Sequence, residues 1–376
     1  MKIGFDAKRI FYNQTGLGNY SRSLVQGLVQ QYHSSEFHLY TPGVKLFPDF
    51  LSHQKNVHRH LPSGLINSKF SSNWRSNNLV PDLIRDEIEV FHGLSNELPK
   101  GIETTQIKSI ATIHDLIFLH FPKQYPWLDL QIYKRKFASA INRADMVIAT
   151  SQNTRKDILS FYGCSPEKVN VVYQDCDPVF SLPIDEAKLV QVKSKYGLNQ
   201  NFILSVGTLE NRKNHLRLLQ AFEQANLKNM DIVFVGKKAD AYPELLKFVE
   251  EKKLGSRIHF IHQVSFQDLP VIYKLARAAV YISTYEGFGI PVLEAMRVGT
   301  PVLASSTSSI AEVGGKAAYL VDPTDVSAIC DGLLELNQNE SLRESLLQNM
   351  PAHLKQFNST TLCQQTMLLY ESMVKQ

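Results

Sequence analysis

The stretch Ala279-Val280-Tyr281-Ile282-Ser283-Thr284-Tyr285-Glu286-Gly287-Phe288-Gly289-Ile290-Pro291-Val292-Leu293-Glu294-Ala295-Met296 decides the fold class. Ala279–Ser283 is a short apolar run of strand length. Pro291, a residue favoured at the first helical position, opens the helix-like segment Val292–Met296. Gly287 and Gly289 let the backbone approach a ligand closely, and free amides around Gly289 and Ile290 would face it. Glu294 falls about one turn inside the helix, where a carboxylate suits a pair of sugar hydroxyls while the helix end suits a phosphate. Glu286, before the glycines, can reach another part of the same ligand. The plainer alternative is a tight strand-to-helix turn with a solvated glutamate.

Strand, glycine-bearing turn and helix recur outward from this point. Strand candidates are Lys2–Asp6, Phe37–Thr41, Val57–His60, Val90–His92, Ser109–Ile113, Met146–Thr150 and Val169–Val172, then Asn201–Gly207, Asp231–Gly236, Arg257–Ile261, Ala279–Ser283, Pro301–Ser305 and Ala318–Val321. Helical spacing fills the intervals, as at Leu24 and Leu28, at Tyr133, Phe137 and Ile141, and at Leu216, Leu219 and Phe222. Near-continuously apolar strands alternating with helices predict α/β architecture, with two parallel sheets in succession, each covered on both faces. The 376 residues suit two domains. The boundary is expected between Val172 and Gln200, a region containing Asp177-Pro178 and Ser181-Leu182-Pro183. The domains are expected to be 1–175, rejoined by 357–376, and 176–356.

A composition 44% hydrophobic and 20% charged excludes disordered and fibrous classes. A net charge of +4 is too small to argue for nucleic-acid binding. Cys164, Cys176, Cys330 and Cys363 have neither zinc-ligand nor disulfide-framework spacing, so a reduced cytoplasmic setting is expected. The N-terminus lacks the apolar core of a signal peptide, and no apolar run reaches the roughly 18 residues of a membrane span. The first half carries a mild basic excess, including Lys134-Arg135-Lys136 and the histidine-containing run His53–His60. Solvated faces account for it; weak contact with an anionic membrane surface is the alternative.

Three further segments sit at strand ends. Ser205–Asn214 contains Gly207, Thr208, Arg212 and Lys213 ahead of a helix that Asn214 would cap, so its cations would neutralise adjacent phosphates; a solvated basic turn is equally compatible. Gln14–Tyr20, with Gly16 and Gly18, precedes a helix expected near Ser21. It lies too far from the first strand for a dinucleotide fingerprint. His114-Asp115 closes the strand Ser109–Ile113, where a lone histidine is more often structural.

Taken in order, these segments resemble the retaining, nucleotide-sugar-dependent glycosyltransferases of family four, marked by two glutamates at the spacing of Glu286 and Glu294. The likeness extends through Gly299-Thr300-Pro301-Val302, Gly207–Asn214, His114-Asp115-Leu116, the Gly16–Tyr20 loop and the closing Phe357–Thr361 segment before a helix ending at Tyr370. It implies the GT-B architecture, two Rossmann-like domains facing a central cleft, with that last helix crossing back to the N-terminal acceptor domain. Lys213 and Arg212 would bind the donor diphosphate and Glu294 the nucleotide ribose. Glu286 and the amides of Gly287, Phe288, Gly289 and Ile290 would bind the transferred sugar and phosphate. His114 would touch the sugar from the opposite domain, and Gly16 and Gly18 would line the cleft.

His114, Lys213 and Glu286 form the expected catalytic set. Thr208 stands where many members have a basic residue, which puts more weight on Arg212 and Lys213. Asp175-Cys176-Asp177 matches a metal-binding DxD pattern of a different glycosyltransferase fold, but its place at the domain junction assigns it to the linker; no metal and no cofactor are expected. The wording Gly207-Thr208-Leu209-Glu210-Asn211-Arg212-Lys213-Asn214 is similar to bacterial mannosyltransferases of surface-polysaccharide or lipopolysaccharide synthesis. GDP-mannose is therefore the leading donor, ahead of UDP-glucose and UDP-N-acetylglucosamine. The acceptor implied is a saccharide or lipid-linked saccharide, with a peripheral place on the inner membrane face admitted. A nucleotide-sugar epimerase or a non-catalytic sugar-nucleotide sensor on the same fold are the rival readings.

Overall fold

The computed structural model describes residues 1–63, 69–198 and 201–375; Gln200, the outer limit of the expected boundary region, lies outside them. Two compact units are present, one comprising 1–175 with 357–376 and the other 176–356. The first is built on β1 (Lys2–Asp6), β2 (Glu36–Tyr40), β3 (Val57–His60), β4 (Val90–Gly93), β5 (Lys108–Ile113), β6 (Met146–Ala149) and β7 (Val169–Val171). The second is built on β8 (Asn201–Val206), β9 (Met230–Val235), β10 (Ile258–Ile261), β11 (Ala278–Tyr281), β12 (Val302–Ser305) and β13 (Tyr319–Val321). Strand order is β3-β2-β1-β4-β5-β6-β7 in one sheet and β10-β9-β8-β11-β12-β13 in the other. Every pairing is parallel.

All thirteen expected strands are present, with ends moved by no more than two residues. The central strands read as apolar runs because helices cover both faces: Ile232, Val233 and Phe234 of β9 are all buried. Each sheet reverses its order once, between β1 and β4 and between β8 and β11. Ligands of parallel sheets bind beyond the carboxyl ends of the strands at such a reversal. The connections after β8 and β11 carry two of the motifs the sequence singled out.

Two expectations are corrected. The helix expected near Ser21 runs Gly16–Gln31, after a short helix Lys8–Tyr12, so Gly16 and Gly18 belong to its first turn rather than to a preceding loop. Asn13 makes the earlier start possible: its Oδ1 accepts from Thr15 N at 2.7 Å and from Gly18 N at 3.3 Å, satisfying amides a helix start leaves unpaired. The last helix runs Ser359–Val374, past Tyr370. It packs into the first unit's core through Leu362, Cys363, Met367 and Tyr370. The Tyr370 hydroxyl lies 2.6 Å from His92 Nδ1, whose other ring nitrogen is 2.7 Å from Thr112 Oγ1.

In the second unit the ends of β8 and β9 touch backbone to backbone. A Cβ on Gly236 would stand 1.8 Å from the Gly207 carbonyl oxygen, an atom that cannot yield without moving the whole β8 connection. Gly236→Ala is expected to cost at least the roughly 1–3 kcal/mol of overpacking, read as a lowered thermal midpoint, and to displace Gly207 from the site.

Candidate functional site

The connection after β11 enters the Ile290–Val298 helix, with Pro291 in second rather than first position. Gly289 is the residue before it at φ 121°, a backbone conformation closed to residues with a Cβ. In the first turn Pro291 has no N–H and Val292 N donates to the Gly289 carbonyl at 3.0 Å, while the helix end presents a partial positive charge to the turn. Phe288 is buried and anchors the turn from below. Ser309 Oγ donates to the Glu286 carbonyl at 2.8 Å, and Glu286 N donates to Ser308 Oγ at 3.2 Å, so the connection after β12 fixes Glu286 along its backbone.

Lys213 and Arg212 lie on a single 3-10 turn, Asn211–Lys213, and converge on Glu286. Lys213 Nζ is 2.7 Å and Arg212 NH1 2.6 Å from the same oxygen, Glu286 Oε1. Lys213 Nζ also donates to Tyr281 OH at 2.6 Å. Arg212 donates to the Tyr285 carbonyl at 2.6 Å and pairs with Glu210 through its other amino group. Burial pushes the Glu286 carboxyl up, but Lys213 and then Arg212 outweigh it and hold it down to about 2. Burial works against the Lys213 charge too, yet Glu286 raises its pKa above the ordinary lysine value, so both partners stay ionised. Glu286 is therefore locked to the two cations the sequence assigned to a phosphate.

Glu294, eight positions on, has the opposite surroundings. It is buried with Tyr273 OH donating to Oε2 at 2.9 Å, and no cation pairs with it among the described residues. Burial raises its pKa to about 7; the Tyr273 hydrogen bond opposes this and Asp177 adds to it. Asn214 does not cap the next helix with its side chain: at φ 64° it instead donates from Nδ2 to the carbonyls of Ile282 (3.1 Å) and Pro323 (2.6 Å). Thr208 is exposed, and its carbonyl accepts from Glu210 N at 2.8 Å. Tyr273 and Ser309 carried no signal in the sequence, because each reaches the site from an element remote in the chain, and Tyr281, though on the strand before Glu286, looks there like an ordinary strand residue.

In the first unit, His114 is buried, with Nε2 2.9 Å from the Leu94 carbonyl, which fixes the proton on Nε2 and leaves Nδ1 as an acceptor. Burial lowers its pKa to about 4, and the Tyr20 ring stands edge-on at 4.7 Å. Gly18 is buried beneath the Asn13 carbonyl while Gly16 is exposed. A cavity of about 210 Å³ opens at this unit's own strand-order reversal, lined by polar side chains including Arg9, Asn96, Glu97 and Asp115 and by the aromatics Phe118, Tyr125 and Tyr133. In the DxD-like stretch, Asp177 Oδ1 accepts from Val179 N at 3.0 Å as the cap of a 3-10 turn, and Asp175 Oδ2 lies 3.5 Å from Ser359 Oγ.

Two family models match this chain: Glycosyltransferase Family 4 over residues 15–178 and Glycosyl transferases group 1 over 189–353. The chain is 29% identical to O-antigen chain mannosyltransferase B of Escherichia coli, across 99% of this chain and 100% of that one. It is 30% identical to a serotype-specific mannosyltransferase, WbdA, of Escherichia coli, across 67% of this chain and 32% of that longer protein. Among solved structures, a glycosyltransferase from Rickettsia africae superposes with TM-score 0.77 at 15% identity, covering 100% of this chain and 98% of the other. Anabaena HepE, solved with UDP and glucose, gives 0.76 at 18% identity, covering 99% and 100%. These two likenesses establish the fold, the GT-B class of paired parallel-sheet units.

Glu294 makes the stability of the ligand-free protein pH-dependent in a direction unusual for a carboxylate. Its folded pKa of about 7 exceeds the ordinary 4.5, so its contribution is full below pH 4.5 and is lost as pH rises through 7. Glu294→Gln is expected to remove this loss, leaving the variant on the order of 3 kcal/mol more stable than the parent at pH 8 and comparable at pH 4.5, by denaturant unfolding at both pH values.

Proposed function

The chain belongs to the glycosyltransferases of group 1 and family 4, and from that premise we propose that it transfers mannose from GDP-mannose, with retention, to a saccharide or lipid-linked saccharide in surface-polysaccharide synthesis. The observation that carries this reading is the pair Lys213 and Arg212, held by Glu286 next to the start of the Ile290–Val298 helix. Two preset cations and a helix end make a site for a diphosphate whose charge grows as the sugar departs. The O-antigen mannosyltransferases of Escherichia coli, one similar over its whole length, support mannose over glucose as the sugar.

In this reading the Lys213 ammonium and Arg212 guanidinium bind the diphosphate, and Glu294 accepts hydrogen bonds from the ribose hydroxyls. The amides from Gly287 to Ile290 face the phosphate and sugar, with Thr208, Gly16 and Gly18 lining the same ligand and His114 touching the transferred sugar. Cleavage of the anomeric carbon–oxygen bond passes through an oxocarbenium-like state, and the leaving charge falls on the cations and helix end rather than on a metal. Glu286 is ionised, but two cations share its Oε1, which blunts it as a nucleophile. The departing phosphate oxygen then takes the acceptor's proton on the same face as the new bond forms. The aromatic-walled cavity of the first unit suits the acceptor sugar: Tyr125 and Tyr133 offer ring faces, and Asp115 and Glu97 offer hydroxyl acceptors. Residues 1–175 with 357–376 would then be the acceptor domain and 176–356 the donor domain.

A thermal-shift screen of nucleoside diphosphates and sugar nucleotides tests the donor. GDP-mannose at about 100 times its dissociation constant should stabilise by about 2.7 kcal/mol. Lys213→Ala should lose about 100- to 1000-fold in kcat, and donor incubated alone should not be epimerised. A larger shift with UDP-glucose, or a sugar adduct on Glu286 trapped by mass spectrometry, would overturn the donor and the mechanism respectively. Tyr133→Ala is expected to raise the acceptor KM while leaving the donor KM unchanged, measured by initial rates with each substrate varied in turn.

A further inference from the structure

The histidine-containing run ending at His60 takes no part in the site described above, yet it is organised. His58 and His60 lie on β3, the edge strand, opposite His38 and Tyr40 of β2. Because side chains two apart share a sheet face, Glu36, His38 and Tyr40 meet His58 and His60 on one side. The rings are in close contact: His38 and His58 centroids are 4.8 Å apart, and His38 and His60 are stacked at 5.1 Å.

The proton positions follow from one end of this row. Asp86 Oδ2 stands 3.3 Å from His60 Nδ1 and accepts from Tyr40 OH at 2.9 Å. The carboxylate favours the proton on His60 Nδ1, which leaves His60 Nε2 as an acceptor. His38 Nδ1, 2.9 Å from that atom, must then be the donor. His38 Nε2 is left as a bare lone pair on a side chain only 8% exposed, with no hydrogen-bond partner. It points to Glu36 Oε2 at 3.7 Å, and His58 Nε2 lies 3.8 Å from the same oxygen. All three atoms are within 4.8 Å of one another.

We propose that Glu36, His38 and His58 form a binding site for a borderline divalent cation of the zinc type, with Asp86 and His60 as the outer shell that orients His38. Two imidazole nitrogens and one carboxylate oxygen are the ligand set zinc and cobalt accept, with water in the fourth position. Donors on a tetrahedral zinc at about 2.1 Å stand about 3.4 Å apart, so Glu36 closes on each imidazole by a few tenths of an ångström, and the two nitrogens, within 4.8 Å, close by up to about 1.4 Å through rotation of His58. Glu36 and His58 are each nearly half exposed and can make that adjustment, while buried His38 is preset. The Asp86–His60–His38 order is that of a carboxylate and imidazole fixing the tautomer of a metal ligand. A bound ion would cross-link the edge strand to its neighbour in the first unit, separately from sugar transfer.

The test uses the intact chain titrated with Co²⁺, followed by visible absorption and by back-titration with Zn²⁺. One cobalt per chain with a four- or five-coordinate spectrum, displaced by stoichiometric zinc, is expected. His58→Ala and Glu36→Gln alter half-exposed side chains and should leave the metal-free unfolding midpoint unchanged. Each should weaken cobalt binding by more than the roughly 10- to 100-fold that loss of an outer-shell partner costs. His53→Ala, in the exposed turn before β3, should bind like the parent. Absence of a cobalt spectrum from the parent, or equal affinity in His58→Ala and Glu36→Gln, overturns the site.

Discussion

A single carboxylate oxygen, Glu286 Oε1, receives both Lys213 and Arg212 in largely buried surroundings, and the two connections that supply these groups meet at it. The cations come from the connection after β8 and the carboxylate from that after β11, so the charge cluster ties together the two loops at the strand-order reversal. Backbone bonds add to the tie: Thr284 N donates to the Arg212 carbonyl at 2.9 Å, and Arg212 NH1 to the Tyr285 carbonyl. Buried ions of this kind stabilise only as a set, since leaving one unpaired costs about 3–5 kcal/mol. Their more specific effect is to hold two long, rotamer-rich side chains in one geometry before any ligand arrives, so binding need not meet the full ordering cost.

The two glutamates of one connection show how position sets chemistry. Glu286 and Glu294 are similarly buried, but one faces two cations and is held near 2, whereas the other faces a phenol and a distant carboxylate and rises to about 7. Glu286 is a permanent anion that organises cations. Glu294 sits near neutrality, so hydroxyl donors brought against it would favour its ionised form, with the proton released to solvent.

The first unit repeats the logic with different residues. Its reversal between β1 and β4 also opens a polar cavity, and its buried ion set, Arg75 with Asp6 and Glu97, again joins the ends of two neighbouring strands. Arg75 and Lys136 overcome burial to hold Glu97 down to about 2. Aromatic side chains accompany both clusters, with Tyr125 and Tyr133 lining the first unit's cavity and the Tyr281 ring lying 4.9 Å from Lys213 Nζ in the second.

Strand positions, the parallel class and the strand-to-helix turn at Gly287–Pro291 were legible in the sequence, because apolar runs, glycine and proline act on the backbone within a few residues. The placing of Lys213, Arg212, Glu286 and Glu294 beyond strand ends was legible for the same reason: each sits in the turn or first helical residues after a strand. Pairings between remote elements were not. That Glu286 would be bound by the two cations, that Tyr273 would donate to Glu294, that Asn214 would turn from capping to brace two carbonyls, and that Gly16 would open a helix with Asn13 satisfying its amides all depend on which segments meet. Local sequence fixes torsional preference and residue chemistry, whereas the electrostatic neighbourhood of a buried group is set by side chains brought in through packing. Only the tertiary structure could decide which carboxylate is charged and which keeps its proton.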